Sequence, residues 1–134
     1  MKQFSTGMVF GTVLVFGLAF VNSERPQSTD RETIWSSYLA EKMNGQAEVR
    51  LPDQSRADIV TSTTAWEAEW SDKWPESIGQ SLNYMIEANK TSAGIVLLCR
   101  GEYMHDYQQC KKVVAYLRGK GVPIHVQVEL VEKQ

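Results

Sequence analysis

Only two cysteines and two histidines occur in the 134 residues, and that scarcity removes several chemistries at once. There is no CxxC pair, and His105 and His125 fall in separate predicted elements, so no structural zinc site is expected. A Cys–His nucleophile pair would need Cys99 or Cys110 with His105, and no third group is evident to orient the histidine. Cys99 and Cys110 could join as a disulfide after export or remain thiols, and their spacing does not decide between the two. The chain also lacks a GxSxG elbow, a glycine-rich phosphate loop and an HExxH helix, which argues against those three catalytic classes. A large excess of either charge is missing too. The formal net charge is -2, so no overall basic surface advertises nucleic acid, although an enzyme can confine its basic contacts to one cleft.

What is present suits one domain with a modest core, at 43% hydrophobic residues. Residues 1–23, MKQFSTGMVFGTVLVFGLAFVNS, combine one lysine, no acid and an apolar run from Met8 to Val21. They read as a secretory signal cut after Ser23, as an uncleaved N-terminal membrane anchor, or as an ordinary buried helix. Either of the first two readings places the rest outside the cytosol, exported to the periplasm or medium, or anchored. Residues 24–30 read as a polar linker and residues 31–134 as the folded domain.

Within that domain the pattern predicts a helix capped by Thr29, with Glu32 completing a capping box and Ile34, Trp35, Tyr38, Leu39 and Met43 as its apolar stripe, ended by Gly45. Three strands follow, at about Ala47 to Leu51, Arg56 to Thr61 and Ala65 to Trp70. A helix capped by Ser71 or Asp72, with Pro75 in its first turn, presents Trp74, Ile78, Leu82, Met85 and Ile86. Ala93 to Cys99 is apolar enough to be buried on both faces. A helix around Tyr107 to Arg118 and a last strand from Val122 to about Val131 complete an α/β domain with a helix-flanked mixed sheet, in the order αβββαβ followed by αβ.

The chemistry concentrates between Asp58 and Tyr84. Glu67 and Glu69 lie two apart on the third strand and share a face. Asp58, on the second strand, approaches that face if the two strands pair antiparallel. Converging carboxylates raise one another's pKa unless a cation neutralises them, and Mg²⁺ needs only one or two carboxylates plus water and substrate oxygens. The alternative is an acidic strand face turned to solvent. Lys73 sits where strand gives way to helix, either to neutralise a phosphate or to pair with its acidic neighbours. Gln80 and Tyr84, at i and i+4, share a helix face. Glu32 serves as a cap partner or as a further acid of the site, and Glu48 faces either outward or toward a substrate.

These residues resemble the PD-(D/E)xK nuclease superfamily, in particular its RecB-like branch, over about Glu32 to Leu98. The resemblance rests on RADIV around Asp58, EAE from Glu67 to Glu69, and QSLNY, which matches the QxxxY signature at Gln80 and Tyr84. It implies a restriction-endonuclease-like core and Mg²⁺-dependent hydrolysis of DNA, with Asp58 and Glu67 as metal ligands. Glu69 stands where the family has its lysine, and Lys73 is the residue placed to have taken over that role. Gln80, Tyr84 and Glu32 would orient ligand or substrate. A catalytically inactive binding or envelope-associated relative is the competing expectation.

Overall fold

A computed structural model describes residues 24–132 of the chain. The element order is α1 (Glu32–Lys42), β1 (Gln46–Arg50), β2 (Arg56–Val60), β3 (Thr64–Trp70), a 3-10 turn (Ser71–Lys73), α2 (Trp74–Glu87), β4 (Ser92–Cys99), α3 (Met104–Gly119) and β5 (Ile124–Leu130). The strands form one mixed sheet in the order β1-β2-β3-β4-β5. The first three are antiparallel neighbours, whereas β3, β4 and β5 run parallel. The described residues therefore form an α/β domain with a five-stranded mixed sheet and three helices. The signal or anchor expected at residues 1–23 lies outside the described residues. Among the described residues, no helix is long and apolar enough to cross a membrane.

Every residue of β4 is buried, as its unbroken apolar run requires for a central strand covered on both sides. Val96 and Leu98 pack with Trp35, Leu39 and Ala40 of α1. Ile95, Leu97 and Cys99 pack instead with α3 and with the apolar flank of α2. Because strand side chains alternate, α1 covers one face of the sheet, and α2 and α3 cover the other. Trp66 lies over Gly94, its neighbour on β4; a Cβ there would fall 2.1 Å from the indole ring.

The ends of α1 and α2 follow the same local logic. Asn44 and Asn89 take left-handed conformations, with φ of 55° and 52°. Each is followed by a backbone N–H that returns to the last turn, Gly45 to Ala40 and Lys90 to Met85. This Schellman closure satisfies carbonyls that a helix end leaves free. Gly45 is needed for a second reason, since a Cβ at that position would meet the Val60 carbonyl at 2.8 Å.

Three local expectations are corrected. The capping box at Thr29 and Glu32 does not form: Arg31 occupies the N-cap position without a side-chain cap, and helix α1 begins at Glu32 itself. Ile34 and Ile86 are exposed, at 44% and 69%, and neither belongs to a core stripe. Neither Ser71 nor Asp72 caps α2, because both are taken into the 3-10 turn ahead of it. The residues of α2 buried most deeply are Ser77, Ser81 and Tyr84, while Trp74, Ile78, Leu82 and Met85 form the flank toward α3. Small hydroxylated residues let this helix lie close against the sheet near the acids of β3. Cys99 and Cys110 are free, buried thiols, and burial pushes each up to about 11.

Candidate active site

The site is built where β2 and β3 part. Their pairing is limited to Ile59 with Trp66 and Val60 with Ala65, so the same register carried one step further sets Asp58 opposite Glu67. There the backbones no longer bond, and the Asp58 carboxylate accepts the Ala68 N–H at 2.8 Å in place of a strand partner. Parallel pairing of Glu67 with Ile95 and Glu69 with Leu97 puts both glutamates on the α2 face of the sheet. Both are buried, at 4% and 6% exposure, which is unusual for charged side chains without a strong counter-charge.

The consequence is a set of carboxyl groups driven toward their neutral forms. Burial is the main cause of a Glu67 pKa raised to about 9, and the negative charge of Asp58 and a hydrogen bond with it add to the rise. Asp58 is pushed up to about 6 by burial, held back by its bond from Ala68 and by its contact with Glu67. The two carboxyls thus share a proton at neutral pH, as facing carboxyls in a desolvated site do. Tyr84 faces Glu67 and partly offsets the rise, and its own phenol is pushed well above the ordinary tyrosine range by burial and the adjacent acids. Glu67 Oε2 is buried and makes no hydrogen bond.

Glu69 continues the acidic line. Its carboxylate accepts the Trp70 N–H at 2.9 Å and stands 3.9 Å from the ammonium of Lys73. Burial raises it to about 7; the Trp70 bond lowers it, contact with Glu32 raises it, and Lys73 lowers it. Glu32, the first residue of α1, therefore meets Glu69 at the end of β3 left unpaired by β2. This contact, and not a capping role, is what the structure assigns to Glu32.

Glu48 joins from the neighbouring strand. The β1–β2 register flanks it with Ala47 opposite Ile59 and Val49 opposite Ala57, so Glu48 stands across from Asp58, and its charge also raises Asp58. It adopts a left-handed φ of 55° inside a strand, a conformation that non-glycine residues hold only when their surroundings enforce it. Arg56 Nε lies 2.6 Å from its carboxylate. Sequence alternation left Glu48 undecided and did not single out Arg56; counting the strand register across from Asp58 would have found the first.

Asp58, Glu67, Glu69, Lys73, Glu32 and Tyr84 are thus brought into one neighbourhood. Gln80 is not held there: it is exposed on α2, one turn before Tyr84, and its side chain makes no hydrogen bond with another described residue. Compared with protein-family models, with curated proteins and with solved structures, the chain finds no match among any of the three. Among the described residues, no three His, Cys, Asp or Glu side chains close into a ready-made metal cage. The donors present suit a hard cation that keeps most of its water. Asp58 and Glu67 supply two facing carboxyls, with one buried oxygen unsatisfied, and magnesium is held by one or two carboxylates and not by an all-protein shell.

Proposed function

We propose that this chain hydrolyses phosphodiester bonds of DNA with the help of Mg²⁺, on a restriction-endonuclease-like core of the PD-(D/E)xK type. One observation carries the reading. Half-buried Asp58 faces buried Glu67, both with raised pKa values, an arrangement that a divalent cation would relieve by replacing the shared proton. The order of elements around them, helix, three strands, helix and strand, further supports it.

Asp58 and Glu67 would hold the metal, whose chemistry is to lower the pKa of water and to offset charge on a phosphate. Glu69, titrating near neutrality, is suited to take a proton from the attacking water. Lys73 is half exposed and reaches back to Glu69, so it brings positive charge to the strand position where the family carries lysine. Tyr84 fixes Glu67 from the helix side, and exposed Gln80 is left to meet the DNA backbone. With residues 1–23 as a secretory signal or anchor, the proposed nuclease would act on DNA outside the cytosol.

The test is cleavage of supercoiled plasmid and linear DNA with and without Mg²⁺, with Asp58→Ala and Glu67→Ala as controls. Metal-dependent cutting that both substitutions abolish supports the reading. Absence of both metal binding and cleavage would instead make the protein an inactive, nuclease-like binding or envelope-associated protein, in which Glu69 and Lys73 merely neutralise each other. Cleavage that survives both substitutions places the chemistry elsewhere.

A further inference from the structure

The two edges of the sheet differ. On β1 the strand is broken by the left-handed Glu48 and ends in Arg50, both devices that discourage edge pairing. β5, IHVQVEL, is seven residues long, contains no lysine or proline and has no residue of positive φ. Its inner side is bonded to β4: the Pro123 carbonyl accepts from Ala93 and the Val131 N–H donates to Cys99. Odd-numbered residues therefore turn their backbone groups inward and even-numbered ones outward. Two of the outward carbonyls are occupied, Ile124 by Arg118 and Leu130 by Arg25. Between these arginines, Val126 and Val128 present outward N–H and C=O groups to which no described residue bonds.

We propose that this edge pairs with the same edge of a second copy, antiparallel about a two-fold axis at Gln127. The strand is self-complementary in that register. Val126 meets the partner's Val128 and exchanges both backbone bonds with it, using the four outward groups that the arginines leave free. On the α1 face, His125 stands opposite the partner's Glu129, so an imidazole held by Arg118 meets a carboxylate. That carboxylate already has Arg25 at 3.4 Å and retains acceptor capacity for another donor. On the α3 face, the partner's Leu130, 38% exposed in the single chain, comes opposite Ile124 once Arg118 and the partner's Arg25, which hold these two carbonyls, turn out of the gap between the strands. There it borders a groove of about 240 Å³ lined by Lys111, Val114, Ala115, Arg118, His125 and Val126. A two-fold contact uses one patch twice, which is why a palindromic strand suits it. A one-residue slip would set Gln127 opposite a valine and turn the outward groups out of line.

The full chain is tested in mild detergent by sedimentation over a concentration series, where a dimer is expected. Gln127 is exposed and its amide lies 3.9 Å from Met43 Sδ, so substitution there spares the core. Gln127→Lys sets like charges face to face on the axis and should raise the dimer dissociation constant by about tenfold. Gln127→Cys should form an intersubunit disulfide on mild oxidation, because a non-hydrogen-bonded antiparallel pair brings Cα atoms to about 4.5 Å. Ser37→Cys, at an exposed position of α1, should not. A chain that stays monomeric overturns the proposal. So does a dimer that Gln127→Lys leaves unchanged, or a Gln127→Cys cross-link no greater than that of Ser37→Cys.

Discussion

Replacing Glu67 by glutamine should stabilise the metal-free protein at neutral pH, although it alters a buried residue at the centre of the proposed site. The native carboxyl has a folded pKa of about 9 against 4.5 for an ordinary glutamate. A raised acid contributes its stabilisation fully below the unfolded value and loses it as pH climbs through the folded value. Between roughly pH 5 and pH 9, folding must therefore take up a proton that the unfolded chain has released. At pH 7, about two and a half pH units above the ordinary glutamate value, this penalty is about 3 kcal/mol at about 1.4 kcal/mol per unit. Glutamine imitates the neutral carboxyl: its amide can donate to Asp58, and its carbonyl can face Tyr84. Urea unfolding at pH 5, 7 and 9 should show almost no difference from wild type at pH 5 and a gain approaching about 3 kcal/mol at pH 7. Excess Mg²⁺ should reverse the order, because the metal stabilises only the wild-type carboxylate pair. A glutamine variant less stable than wild type at pH 7, or a difference that does not change with pH, would refute the assignment of Glu67 as a desolvated acid.

Three further outcomes follow from the geometry. Lys73→Ala should reduce plasmid cleavage by about a hundredfold while leaving the circular-dichroism spectrum intact, and Lys73→Arg should retain part of the activity, because the position supplies charge at the site and not packing. Gly94→Ala should lose about 1–3 kcal/mol, measured as a thermal midpoint several degrees lower, since the new methyl group would press on the Trp66 ring. Cys99 and Cys110 should resist a thiol reagent at pH 8 in the native protein and both react in denaturant without prior reduction. Burial keeps them protonated, and no disulfide joins them.

Much of the fold was legible before any coordinates. Alternation in TAWEAEW separated Trp66, Ala68 and Trp70 from Glu67 and Glu69, and the unbroken run SAGIVLLC marked β4 as central. Strand and helix ends agreed with the turn chemistry to within a few residues. What failed was local inference about shared roles. Glu32 had a capping partner by spacing, yet its side chain meets Glu69 at the end of β3 that β2 leaves unpaired. Ile86 had the helical period of a core residue, but α2 turns its serines and Tyr84 inward because the sheet beneath it carries acids and admits a close helix.

The order of residues by itself determined which segments become strands and helices, since side-chain period and backbone sterics act over a few neighbours. It also placed Asp58 and Glu67 on adjacent strands. Only the tertiary structure decided that β2 and β3 separate one residue past Ile59, that Glu48 lies across from Asp58 and that these acids lose their water together. Desolvation and charge coupling depend on what lies within a few ångströms in space, and no spacing along a chain fixes that.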